Sequence, residues 1–97
     1  MYDVNLIKRI EESANELLSE LGLTSITVGN NQVYEINGSY MKFSYVAGLG
    51  CFVIEYAENL SAAKKNLYED SDLFPITLGE TVLLDELRKT LNEHYLK

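Results

Sequence analysis

The sequence predicts an α+β fold: a four-stranded antiparallel β-meander with one N-terminal and two C-terminal helices packed on one face, in the order α-β-β-β-β-α-α. Three observations predict it. Apolar residues recur at helical spacing from Leu6 to Leu21. The period then falls to two between Thr24 and Ala57, punctuated by turn residues, and helical spacing returns after Asn59. Ninety-seven residues suffice for one hydrophobic core and are too few for two, so a single domain spans 1–97.

The first helix rests on Leu6, Ile7, Ile10, Ala14, Leu17, Leu18 and Leu21, with Lys8, Arg9, Glu11, Glu12, Glu16 and Glu20 largely outside that stripe. Asp3 or Asn5 can cap its start, and Gly22 can take the left-handed conformation that ends it. Among the strands, Asn37-Gly38 is the strongest hairpin signal, because both residues tolerate positive φ. A two-residue turn there sets Tyr34 opposite Met41, and a four-residue turn at 47–50 sets Phe43 opposite Ile54 and Tyr45 opposite Phe52. Both registers give one apolar face: Tyr34, Ile36, Met41, Phe43, Tyr45, Phe52, Ile54 and Tyr56. A three-residue loop, Gly29-Asn30-Asn31, brings Ile26 and Val28 to that same face.

The other face then holds Val33, Glu35, Tyr40, Lys42, Ser44, Val46, Cys51, Val53 and Glu55, and reads as solvated. Lys42 and Glu55 are cross-strand partners on it, an exposed pair worth about 0.2–1 kcal/mol. A short helix follows from Asn59 to Tyr68, capped by Asn59 or Ser61, and then a loop from Glu69 to Pro75 anchored by Leu73, Phe74 and Pro75. Thr77 and Glu80 have capping-box spacing before a last helix marked by Leu83, Leu84, Leu87, Leu91 and Tyr95.

The formal charge is −7, from 15 acidic and 8 basic side chains. Such a surface repels phosphate backbones and attracts basic partners, which argues against nucleic acid as a ligand. Between Glu55 and Glu86 stand eight acids against Lys64 and Lys65 alone. No stretch approaches the roughly 18 apolar residues of a membrane span. Met1–Asn5 lacks the pattern of a signal peptide, and the lone Cys51 agrees with a reducing compartment, so the expected location is cytoplasmic, with no membrane partner.

Catalytic chemistry needs proton-transferring or nucleophilic groups held together. His94 is the only histidine and falls near the end of the last helix, while Cys51 opens a strand beside a glycine turn. Gly48-Leu49-Gly50 joins two strands, whereas a phosphate-binding loop would open a helix. In Glu69-Asp70-Ser71-Asp72 the acids alternate as in a calcium loop, but Phe74-Pro75 stands where a ligand and glycine are needed. The reading is therefore a binding protein without catalytic residues, metal or cofactor. Tyr40, facing outward beside Lys42, adds rigid amphipathic contact area of the kind found at interfaces.

The run from Gly50 to Asn59, continuing through Ala63, Asn66-Leu67-Tyr68-Glu69-Asp70 and Asp72-Leu73-Phe74-Pro75, resembles the core of a small immunity-protein family. That family accompanies bacterial polymorphic and contact-dependent toxins; its pattern is a strand reading FVIEYA, a short helix and an E-D-x-D-x-(F/Y)-P loop. The resemblance covers roughly the second half of the chain. It implies an immunity protein that neutralises a cognate toxin by direct contact, with no catalytic residues to carry over. A basic toxin suits the acidity, and the expected contact residues are Glu55, Glu58, Glu69, Asp70, Asp72 and Tyr40. A cytosolic chaperone or regulatory adaptor for another protein is the alternative, and an enzyme using carboxylates alone is a third.

Overall fold

A computed structural model describes residues 4–96. Helix α1 (Val4–Glu20) precedes strands β1 (Thr24–Val28), β2 (Asn31–Ile36), β3 (Ser39–Val46) and β4 (Cys51–Ala57). Helix α2 (Leu60–Lys64), strand β5 (Glu69–Pro75), a 3-10 turn (Ile76–Leu78), helix α3 (Glu80–Thr90) and a π turn (Leu91–Tyr95) complete the chain. The fold is α+β, with all neighbouring strands antiparallel in the order β1-β2-β3-β4-β5.

The sheet has five strands, not the expected four, because the acid-rich segment Glu69–Pro75 is a strand. Strand β4 has Phe52, Val53 and Ile54 fully buried, and its second edge needs backbone partners that water cannot supply there. Segment 69–75 supplies them, with Phe74 set against Phe52 in the core. Of the three residues expected to anchor a loop, only Phe74 is buried; Leu73 and Pro75 are exposed.

Two of the three expected turn registers hold. Asn37 (φ 51°) and Gly38 (φ 86°) form a two-residue turn, and Tyr34 faces Met41. Across β3 and β4, Phe43 faces Ile54 and Tyr45 faces Phe52. The first turn differs: Val28 faces Asn31 and Ile26 faces Val33, so the loop is Gly29-Asn30, with Gly29 at φ 62°. That shift sends Ile26 and Val28 to the opposite face of the sheet. They are accommodated there because that face is not bare.

Helix α2 lies on it. Ala63, with Ala62 and Tyr68, packs against Val28, Val33, Tyr40 and Ala57 to make a small second core. The helices are thus divided: α1 and α3 cover one face, and α2 covers part of the other. The main core joins Ile10, Ala14, Leu17 and Leu18 of α1 to Leu83 and Leu87 of α3, over Ile36, Met41, Phe52, Ile54 and Phe74. Phe43 stacks on Phe52 with ring centroids 5.1 Å apart. Fully burying one such side chain contributes about 1.5–3 kcal/mol.

The helix ends follow local chemistry. Gly22 (φ 83°) terminates α1, with its N–H bonded to the Ser19 carbonyl and that of Leu23 bonded to the Leu18 carbonyl. Asp3 lies outside the described residues, and Asn5 sits within α1, not at its cap. Asn59 caps α2 as expected, its Oδ1 accepting from the Ala62 N–H at 2.8 Å. That helix ends at Lys64, short of Tyr68, because Asn66 adopts φ 58° and turns the chain into β5. Thr77 caps nothing: it lies inside the 3-10 turn, and Gly79 occupies the cap position of α3 without a side-chain bond. The last turn widens, with the Leu96 N–H bonded to the Leu91 carbonyl at 2.8 Å.

Candidate partner-binding surface

The acidic residues singled out in the sequence converge on β4, β5 and the turns that follow them, but not on one face. Ile54 faces Asp72 while Glu55 faces Asp70, so Ser71 is the extra residue of a bulge. In a regular strand residues 70 and 72 would share a face. Here the bulge separates them: Asp72 lies with Ile54 on the side of α1 and α3, and Asp70 lies with Glu55 on the side of α2.

On the α1/α3 side, the Tyr95 hydroxyl donates to Asp72 Oδ2 at 2.7 Å and is hydrogen-bonded to Ser71 Oγ. Two successive side chains reach one phenol because a bulge turns both the same way. The wide last turn carries Tyr95 back to the sheet edge, its ring 5.6 Å from that of Tyr56. Burial and then the Asp72 carboxylate push the Tyr95 phenol up to about 12, against an opposing bond from Ser71. It is therefore a neutral donor at physiological pH.

Two clefts flank Tyr56. One of about 400 Å³ is lined by Tyr56, Ser71, Asp72, His94 and Tyr95. The other, about 360 Å³, is lined by Tyr56, Glu58, Ala62, Leu67 and Glu69. Glu58 and Glu69 are exposed at its mouth. Tyr56, Ser71, His94 and Tyr95 were not foreseen as parts of this surface; the one available signal was the C-terminal Tyr95 on an apolar stripe.

Ser71, Asp72 and His94 are residue types of a hydrolytic triad, so their connections matter. Ser71 and Asp72 both bond to Tyr95, and His94 Nε2 lies 3.9 Å from Oε2 of its neighbour Glu93. The serine–histidine–aspartate relay that would activate a nucleophile is not the connectivity found among the described residues. No group of three or more His, Cys, Asp or Glu side chains among them is placed to hold a metal ion.

On the α2 side, Glu55 meets Lys42 at 3.1 Å, as the register required. The pair is less exposed than the sequence suggested, at 22% and 23% side-chain exposure, because Tyr68 covers it. Lys42 Nζ sits 4.2 Å from the centre of the Tyr68 ring. Burial first, and then the Glu55 carboxylate, raise the Tyr68 phenol above its ordinary range. Lys42 thus offsets two facing carboxylates, Glu55 and Asp70, that would otherwise repel across the ladder.

Tyr40, expected to face outward as a contact residue, is buried instead. It is 6% exposed within the second core, and its hydroxyl donates to Glu35 Oε2 at 3.1 Å. Burial and the Glu35 carboxylate raise its phenol as well. The solvated face expected around it is covered by α2, which composition alone could not place.

Strand β5 is also a sheet edge, and it resists further pairing. It carries Glu69, Asp70 and Asp72, it is bulged at Ser71, and it ends in Pro75. The Ile76 N–H bonds to the Gly50 carbonyl at 3.0 Å, so by alternation Phe74 faces β4 and Pro75 takes the outward position, where no N–H is required. What this edge presents to its surroundings is therefore side chains more than free backbone. No family model, curated protein or solved structure matches the chain. No helix among the described residues is long and apolar enough to cross a membrane.

Proposed function

We propose that this protein is an immunity-type inhibitor that binds a basic cognate toxin by direct protein–protein contact and performs no catalysis on it. One observation carries the reading: at the β4–β5 edge Asp72 lines one cleft beside Tyr56 and Glu58 and Glu69 line the other, while Glu55 and Asp70 face each other across the ladder. The one cation paired there, Lys42, is already committed to Glu55. Glu58 and Glu69, exposed and in no ion pair among the described residues, accelerate encounter with a basic surface, and the Tyr56 and Tyr95 rings offer rigid area for close contact. The sequence resemblance to toxin-immunity proteins spans this same strand, helix and strand. Glu58 and Glu69 carry the charge of the contact, whereas Asp72 is partly spent on holding Tyr95.

The test starts from the protein that copurifies with the chain. Its toxicity to cells is measured with and without coexpression, and its association rate is measured against ionic strength. Protection, with association that slows steeply as salt rises, is expected. In Glu58→Gln/Glu69→Gln the rate falls and the salt dependence flattens while the fold is retained. A harmless copurifying protein would support the adaptor reading instead. Unchanged rates and salt slopes in the double variant would move the interface off this edge.

A further inference from the structure

The sheet has two edges, and they are built differently. Strand β5 carries charge, a bulge and an outward proline, while β1, Thr24-Ser25-Ile26-Thr27-Val28, carries none of these. Three of its residues are exposed, Ile26 is half-buried, and only Val28 is buried. Helix α1 packs over β3, and α2 packs over β3 and β4 and reaches β1, which ends the sheet, at Val28. A neutral, β-branched, unbulged edge is a template for another strand.

The hairpin geometry says which backbone groups are free. A two-residue loop closes on a hydrogen-bonded pair, here Val28 and Asn31, so Ile26–Val33 and Thr24–Glu35 are also bonded pairs. The N–H and C=O of Ser25 and Thr27 therefore point away from β2. An antiparallel copy of the same strand meets this pattern with two-fold symmetry. Ser25 of each copy exchanges both bonds with Thr27 of the other, and the two Ile26 side chains meet across the axis as a close, non-bonded pair.

Charge fits the same arrangement. Lys64 of α2 lines a hollow with Val28 and Gly29 at one end of the strand, and Glu35 stands opposite Thr24 at the other. Antiparallel pairing brings the Val28 end of one copy to the Thr24 end of the next, so Lys64 approaches Glu35 at both ends.

We propose that β1 is a self-association edge, through which two copies of the chain join their sheets into one. This is independent of the partner reached through β5, which lies at the far edge and stays open in the pair. The contact is short, so the dimer is weak and concentration-dependent.

Sedimentation velocity across a concentration series, from about 10 µM to about 1 mM, tests it, this range bracketing weak association. Wild type is expected to pass from monomer to dimer. Thr27→Pro removes an N–H that points away from β2 and, by symmetry, two intermolecular bonds; it weakens association about thirtyfold, with a cooperative melting curve lowered only by loss of the exposed Thr27–Gln32 side-chain bond. Lys64→Glu also weakens it, and the double reversal Glu35→Lys/Lys64→Glu restores it, which keeps the proposal testable if the proline variant fails to fold. A wild type that is monomeric throughout overturns the proposal and leaves this edge to a strand of another protein. A dimer indifferent to both Thr27→Pro and Lys64→Glu overturns it too.

Discussion

Tyr95→Phe isolates the link that ties the C-terminal turn to the bulged edge. The substitution leaves the ring, its contact with Tyr56 and its burial in place, and removes only the hydroxyl. What is lost is a donor 2.7 Å from a carboxylate oxygen, together with the bond to Ser71. Hydrogen bonds to a charged acceptor contribute about 1.5–3 kcal/mol net, and the half-exposed setting trims this to about 1–2 kcal/mol. For a domain of this size that corresponds to a fall in Tm of about 4–16 °C. Urea denaturation should show an earlier midpoint at unchanged slope.

A double-mutant cycle with Asp72→Ala assigns the loss. Coupling of about 1 kcal/mol or more is expected, because both single variants remove the same bond. The pH dependence gives a second readout. The phenol titrates near 12 when folded and near 10 when unfolded, so its contribution is fully present below pH 10. It is lost as pH rises from 10 towards 12, where the unfolded chain releases the proton first. Tyr34, Tyr40 and Tyr68 are raised in the same direction, so Tyr95→Phe should shallow the alkaline decline without abolishing it. Wild-type stability in Tyr95→Phe, additive effects in the cycle, or an unchanged alkaline slope would refute the tether.

Lys42→Ala should cost about 1–2 kcal/mol in urea titration, more than an exposed pair, since it strips the cation from Tyr68 and leaves Glu55 facing Asp70. Tyr40→Ala should cost about 3–5 kcal/mol as a buried aromatic truncation; a loss under about 1 kcal/mol would mean that α2 does not cover this face. Ile54→Ala should cost about 2–5 kcal/mol by the same measurement, and near-neutrality would contradict its place at the centre of the main core. Gly38→Ala, forced to φ 86°, should lower stability by about 1–2 kcal/mol, read as a shifted thermal midpoint.

Much of this was legible in the chain because local chemistry decided it. Asn37-Gly38 imposes its turn through positive φ at both residues, and that turn alone fixes which side chains of β2 and β3 share a face. The stripe from Ile10 to Leu18 and its glycine stop needed no tertiary information either, since helical period and left-handed φ are properties of the segment itself. The Lys42–Glu55 pair followed from register.

Where two remote segments had to meet, the sequence was silent. Whether 69–75 is loop or strand depends on β4 having an unpaired edge, which no residue in Glu69–Pro75 encodes. Its bulge at Ser71 erased the alternation that would have marked it, and separated Asp70 from Asp72. The fate of Tyr40, Ile26 and Val28 turned on one short helix crossing to the other face, since an exposed face and a covered one can carry the same residues. Tyr95 joined the acidic edge only through the widened final turn. Short-range backbone sterics and periodicity are written residue by residue, but burial and pairing belong to contacts between distant segments, and only the assembled fold supplies them.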